Sequence, residues 1–415
     1  MSLLSRREAV LGRHTPLFYA EPLHLVSASG VWLTDVDGRE YLDGYNNVPH
    51  VGHGHPAVVE AVGREMARLN IHSRYLTEPP IGYAEALLAC FPAYLDTMFF
   101  TNSGSEANDL ALRIAAFRTG HTGILVTDRS YHGNTQALAV VTTALPVSVP
   151  MGPHVRTFRV PDERWSLEEA LAQLDTVIAE LQAAGHGLSA VLFDPLFSSE
   201  GLPELPPEYL RALSERVHAA GGLIISDEVQ SGFGRTADHF WGFQYAGLDP
   251  DLVTLGKPMG NGFPLGGVVL PREATESFCS ANAYFNTFAT SPAAAAAGQA
   301  VLDVMREEDL MGRARETSRL LRDAMAAAID GDPGIVGPRG AGLFVGVRFV
   351  SPETGEADSA RAAAMVEAMR RHGVLIGRVG RDDEMLKIRP PLAFGPEQVT
   401  TAVDAFARAL ADTRA

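Results

Sequence analysis

Two short apolar runs in the middle of the chain each end in one charged residue. LIIS leads into Asp227, and DLVTLG leads into Lys257, 30 positions later. Short apolar runs bounded by glycine and polar residues read as buried strands. An acid and an amine at two buried strand ends are costly unless both serve something held between them. A primary amine can capture an aldehyde covalently, and a carboxylate can pair with a protonated ring nitrogen. Pyridoxal 5′-phosphate (PLP) uses both, with the ring as an electron sink. Taken singly, Asp227 would be a turn residue and Lys257 a solvated surface charge; the pair carries the expectation.

A second cluster precedes them. TNSGSEAND (Thr101–Asp109) leads into the helical pattern LALRIAAFRTG. Serine and glycine ahead of such a pattern form an N-cap signature. Free amides and the positive end of the helix dipole make that end an anion site. GILVTDRSYHGNT reads as strand, turn and loop, and brings Tyr131, His132 and Gly133 to a strand end. VLFDPLFSSEG does the same for Asp194. NNVPHVGHGHP contains His50, His53 and His55, but without a companion Cys/His pair no metal site is expected.

These elements need a scaffold that gathers strand ends. Strand and helix patterns alternate from about residue 98 to 270, which indicates an α/β domain with a mostly parallel sheet. Ligands of such sheets bind beyond the strand C-terminal ends. Upstream, GVWLTDVDGREYLDGY alternates around Asp37-Gly38 and predicts a hairpin. Ser166 and Glu169 predict a capping box, and PPEYLRALSERVHAAGG a helix opened by proline. From about 311 the pattern is a smaller α/β unit closed by the helix PEQVTTAVDAFARALADT. The expected division is 1–60 as an N-terminal part of the small domain, 61–310 as the large domain and 311–415 as the C-terminal small domain.

The 415 residues carry a formal net charge of −16, so neither nucleic acid nor an anionic membrane is expected as partner. No run approaches a membrane span, and MSLLSRREAVLGRH has no signal-peptide core. Two cysteines, Cys90 and Cys279, fit a reducing cytoplasm and are expected as buried free thiols.

DEVQSGFGRT followed by LGKPMGNGFPLG resembles the class III aminotransferases, PLP enzymes of fold type I, and the likeness runs from about Gly30 to Phe394. The resemblance implies that Lys257 forms the Schiff base, Asp227 pairs with the pyridinium and Gln230 sits beside the ring hydroxyl. It implies a phosphate cup at Ser103, Gly104 and Ser105, with Glu106 and Asn108 in the same motif. Tyr131 would stack on the ring with His132 beside it. Asp194 stands where the family usually has Glu, a departure for any contact needing the longer arm. Thr287 would reach the cofactor phosphate of a neighbouring subunit, which implies a homodimer with shared active sites. Thr287-Phe288 keeps the family's pair, whereas Ala289-Thr290-Ser291-Pro292 departs from its Gly-Gly-Asn-Pro.

On the substrate side, the family's carboxylate-binding Arg falls at Lys387, and Arg389 lies two residues on, on the same strand face. Tyr19, Asn47 and Arg74 are further candidates around the active-site entrance. YNNVPHVGHGHP, SRYL and LKIRPPL resemble a branch holding alanine–glyoxylate aminotransferase-like proteins and phosphoethanolamine and phosphohydroxylysine phospho-lyases. The expected reaction is ping-pong transfer of an amino group from an amine or amino acid to a 2-oxo acid. Elimination of phosphate from a phosphorylated amine is the alternative. A non-catalytic binding protein of this fold is disfavoured by the intact Asp227–Lys257 pair.

Overall fold

A computed structural model describes residues 2–414. Its centre is a seven-stranded sheet. In spatial order the strands are Thr97–Thr101, Gly266–Leu270, Leu252–Leu255, Leu223–Asp227, Ala190–Phe193, Ile124–Thr127 and Val155–Phe158. Gly266–Leu270 runs antiparallel to both its neighbours, and every other adjacent pair is parallel. The strands ending at Thr101, Thr127, Phe193, Asp227 and Leu255 therefore all finish on one edge of the sheet. Both faces are covered by helices, so the strands are apolar on both sides; Ala190–Phe193, Leu252–Leu255 and Gly266–Leu270 are buried throughout.

Two smaller four-stranded sheets flank this one. The first joins Leu25–Ser29, Trp32–Asp35 and Glu40–Asp43 to Val374–Leu375, so it is built from both ends of the chain. Its expected hairpin is present, with Gly38 in the turn at φ 81°. The second orders Ile335–Ala341, Phe344–Phe349, Met385–Ile388 and Gly377–Val379, all antiparallel. Ile335–Ala341 has no strand signal in its sequence, because Gly337, Pro338 and Gly340 interrupt it.

Local signals hold in most places. Ser166 Oγ accepts from Glu169 N at 3.2 Å and Glu169 Oε2 accepts from Ser166 N at 2.9 Å, the reciprocal capping box. The alanine-rich helix Pro292–Glu307 buries Ala293, Ala294, Ala295 and Ala297, and Gly298 admits the Tyr83 ring. Two expectations need correction. Pro206 and Pro207 precede the helix Tyr209–Ala219 in a turn and do not open it. Cys279 is exposed rather than buried, because it falls on the outer face of the helix Arg272–Ala281; Cys90 is partly buried.

Candidate active site

The strand ends converge on one cavity of about 240 Å³. Ser103, Gly104, Ser105, Tyr131, His132, Asp194, Asp227, Gln230 and Lys257 all line it, as do Arg129, Ser199 and Glu200. Nine expected site residues thus come together from five strand ends.

At one end lies the N-terminus of the helix Gly104–Thr119. Ser103 Oγ accepts from Glu106 N at 3.2 Å, a regular N-cap. The first-turn amides of Gly104 and Ser105 have no partner within the helix. Two glycines keep this end open. A Cβ on Gly104 would sit 2.7 Å from Val229 Cγ2, and one on Gly256 would sit 3.0 Å from the Gly104 backbone. The cradle is therefore a close backbone approach that no side chain fits.

At the other end Asp227 is buried and heavily supported. His132 Nδ1 donates to its Oδ2 at 2.7 Å, Asn108 Nδ2 donates to the same oxygen at 2.9 Å, and Val229 N donates to Oδ1 at 3.0 Å. Asn108 is in turn fixed by Thr254 Oγ1, which donates to its Oδ1 at 2.6 Å. Burial pushes the Asp227 carboxyl up, but the His132 hydrogen bond and its neighbours outweigh it and hold the group below the usual range. Asp227 is thus a fixed negative charge. His132 Nε2, on the far side of that ring, is buried and has no partner among the described residues.

Lys257 opens the turn after Leu252–Leu255 and extends into the cavity. Its surface is open to the cavity space, yet protein walls surround it. That crowding, followed by the Arg389 cation, brings its amine down to about 8 against the opposing pull of Asp227 and Asp194. A lysine so placed is a usable nucleophile and base near neutral pH.

A polar chain leads away from the cavity. Asp194 Oδ2 accepts from Ser198 Oγ at 2.5 Å, and Ser198 Oγ accepts from Gln230 Nε2 at 2.9 Å. The short Asp194 side chain is thus spent on its own turn, where it also accepts from Leu196 N at 3.1 Å. Gln230 Oε1 accepts from Lys387 Nζ at 2.9 Å and also from Arg389 Nη1. Lys387 and Arg389 do share a face, as their spacing requires. Both are buried, and among the described residues neither has a carboxylate within ion-pair distance. Burial, then the Arg389 and Lys257 charges, drive the Lys387 amine well below its ordinary value.

The remaining candidates lie outside the cavity wall. Tyr19 donates to Ile376 O at 3.3 Å. Asn47 is buried, with Nδ2 donating to Val229 O at 3.4 Å and Oδ1 unpartnered. Arg74 is exposed and stacks 4.0 Å above the Phe285 ring. Thr287 is exposed on the same surface. The three histidines have separate partners: His50 with Phe233 O, His53 with Asp43 and His55 with Glu308.

Glu200 went unnoticed in the sequence, although a polar Ser-Ser-Glu-Gly run directly after a strand is the signal for it. It lines the cavity, and burial pushes its carboxyl up to about 8. The Asn108 and Thr254 supports of Asp227 had no local signal.

An open helix N-terminus, a fixed carboxylate, an aromatic wall and a depressed lysine in one cavity fit PLP. Bound there, PLP supplies an aldehyde for the amine and an electron-accepting ring. The known proteins agree. The Aminotransferase class-III family model matches residues 19–410. A Drosophila melanogaster protein named "Alanine--glyoxylate aminotransferase 2-like" is 35% identical, covering 94% of this chain and 83% of its own. "Ethanolamine-phosphate phospho-lyase homolog 1" of Caenorhabditis elegans is 33% identical, covering 98% and 93%. A solved phospholyase from Arthrobacter, in complex with phosphoethanolamine, superposes with a TM-score of 0.97 at 50% identity over 99% of both chains. The chain belongs to the class III aminotransferases, PLP-dependent enzymes of fold type I.

Proposed function

We propose that this enzyme works on a small primary amine that carries an anionic group, and that Lys387 and Arg389 hold that group. The supporting observation is the pair of buried cations with no carboxylate partner, one polar residue away from the cavity. An incoming anion relieves buried charges of one sign beside a cavity and favours the protonated form of Lys387. Lys257 acts as the base that removes a proton from the substrate carbon and returns it. Asp227, held by His132 and Asn108, keeps the ring nitrogen protonated. Gly104 and Ser105 hold the cofactor phosphate, and Tyr131 covers the ring. Amino transfer from such an amine to a 2-oxo acid is the reaction that the family implies.

A specific observation favours a second outcome for this chain. A single carboxylate would balance one of the two cations, whereas a phosphate dianion balances both. The protein of 50% identity is a phospholyase bound to phosphoethanolamine. Elimination of phosphate from a phosphorylated amine therefore suits the charge count better than binding of a monoanion.

One experiment separates the outcomes. The holoenzyme is mixed with phosphoethanolamine or with amino acids, without any 2-oxo acid, and carbonyl product, ammonia and phosphate are followed. Amino transfer gives one equivalent of carbonyl product per site and then stops, with no phosphate. Elimination gives continuous release of phosphate and ammonia. No reaction with any anionic amine would remove the substrate assignment.

We further propose a homodimer with shared active sites. Leu76 is 99% exposed and Phe288 71% exposed. Their loops meet through Arg74 and His72 against Phe285, with Thr287 on the same surface. An apolar patch of this kind asks for cover by a second copy. The division at about residues 60 and 310 is supported by the three sheets and by the mixed origin of the first small one. Among the described residues no helix is long and apolar enough to cross a membrane. A cytoplasmic setting is proposed on the two unpaired cysteines.

A further inference from the structure

The turn between Gly377–Val379 and Met385–Ile388 carries Arg381, Asp382, Asp383 and Glu384. It lies against two loops of the seven-stranded sheet. Arg381 Nη1 is 2.6 Å from Asp128 Oδ1, and Arg381 Nε is 3.2 Å from Asp162 Oδ2. Around this fork, Arg164 pairs with Asp382 at 2.9 Å, Arg129 with Asp383 at 3.3 Å and Arg339 with Glu163 at 2.8 Å. Every one of these pairs joins the C-terminal small sheet to the large one.

The central fork differs from its surroundings. In each outer pair the carboxylate is about half exposed, and where solvent reaches one partner an ion pair contributes little. The side chains of Arg381 and Asp162 are mostly buried. Arg381 Nε donates a directed hydrogen bond to Asp162, and Nη1 adds an ion pair with Asp128, so one planar guanidinium ties the two carboxylates together. Both acids are themselves held. Asp128 N donates to Phe158 O at 3.1 Å, and Asp162 Oδ1 accepts from Arg164 N at 2.7 Å, which leaves Oδ2 for Arg381.

The fork lies between two parts of the site. Asp128 is followed directly by Arg129, Ser130, Tyr131 and His132, which line the cavity. Arg381 is followed by the strand that carries Lys387, with Arg389 just beyond it. That strand is hydrogen-bonded on both sides, to Phe344–Phe349 and to Gly377–Val379. Pairing on both sides ties the strand to its turn.

We propose that Arg381 is a positioning residue that couples the grip on the substrate anion to the loop covering the cofactor. When the small sheet is seated, the fork fixes Asp128 and so the path of Arg129–His132. Tyr131 is then pressed towards the cavity and His132 is kept on Asp227. When the anion pulls Lys387 and Arg389 inwards, the fork carries that displacement to the same loop. The inference rests on the assignment of this cavity to PLP, and its test keeps the two apart.

The variants are Arg381→Met, Arg381→Lys and, as an outer-pair control, Asp382→Asn. Amide exchange at residues 129–133 is measured in the cofactor-free protein. Visible circular dichroism and the rate of PLP loss are measured in the holoenzyme, with kcat and KM for an anionic amine. Arg381→Met should speed exchange at 129–133 and PLP loss by about tenfold, weaken the cofactor dichroism and raise KM more than it lowers kcat. Arg381→Lys, with one charge but no fork, should restore part of each, and Asp382→Asn should stay within about twofold of the parent. Unchanged exchange at 129–133 in Arg381→Met overturns the clasp, whatever the cavity binds. Faster exchange with an unaltered cofactor signal overturns the coupling, whereas a parent protein with no cofactor dichroism after PLP is added overturns the cofactor assignment instead. If Arg381→Met fails to fold, Asp162→Asn removes one arm of the fork, and the same readouts decide.

Discussion

Lys387→Met should move substrate use and stability in opposite directions. Lys387 is 9% exposed, and its ammonium has Gln230 Oε1 as acceptor with no carboxylate beside it. A buried ion costs several kcal/mol in desolvation, so an apolar side chain of similar length in its place should stabilise the fold by about 1 kcal/mol or more. The melting temperature should therefore rise by a few degrees. The sign with pH follows from the depressed amine. Its folded-state pKa lies below the unfolded value, so the unfolded chain binds more protons between the two. Wild-type stability then rises with pH across that window. The advantage of Lys387→Met is greatest at and below neutral pH and fades as pH climbs towards about 10.4.

The effect on an anionic substrate is opposite. Removing one member of a buried charge pair costs about 2–5 kcal/mol, or roughly thirty- to several-thousand-fold in kcat/KM. A neutral amine of the same length should lose less than about threefold. The assays are thermal melts of the cofactor-free protein from pH 6 to 10 and steady-state kinetics on the two amines. Equal losses on both amines, or a lower melting temperature, would refute the reasoning.

Lys257→Ala should reduce turnover at least about a thousandfold while PLP still binds and can be dialysed away; full activity would end its catalytic assignment. Since the Lys257 amine lies at about 8, its neutral fraction at pH 7 is about a tenth, against less than a thousandth for an ordinary lysine. PLP capture by the cofactor-free protein, trapped with borohydride, should rise with pH and level off above about pH 8; a rise continuing unbroken to pH 10 would contradict this depression. Leu76→Glu should weaken self-association in sedimentation experiments, and an unchanged dimer would show that this loop is not its interface.

Which residues line the cavity was largely legible in the sequence because the signals are local. The apolar runs before Asp227 and Lys257, the Ser103 cap and the Ser166–Glu169 box depend on residues within a few positions of one another. Strand periodicity then placed Asp194, Tyr131 and Asp227 at strand ends, and parallel packing brought those ends together. What each charge does there was less legible. Asp227 and Glu228 are adjacent acids. Glu228 is fully buried on the Gly242 and Phe243 amides, at 2.7 and 2.8 Å, and burial lifts it to about 7. Only the strand's alternation decides that Asp227 faces the cavity and Glu228 faces a turn.

The sequence by itself determined the α/β class, the strand ends that carry Asp227 and Lys257, and the Ser103 cap, because backbone geometry and periodicity act at short range; the roles of these residues towards a cofactor came from the family resemblance. Tertiary structure decided which side chains became partners. His132 meets Asp227 across 95 positions, Gln230 meets Lys387 across 157, and Arg381 meets Asp162 across 219. Those pairings depend on strand order and on how the small sheets seat against the large one. Burial, which sets the state of Lys257 and Lys387, is a property of the folded packing and not of any neighbour along the chain.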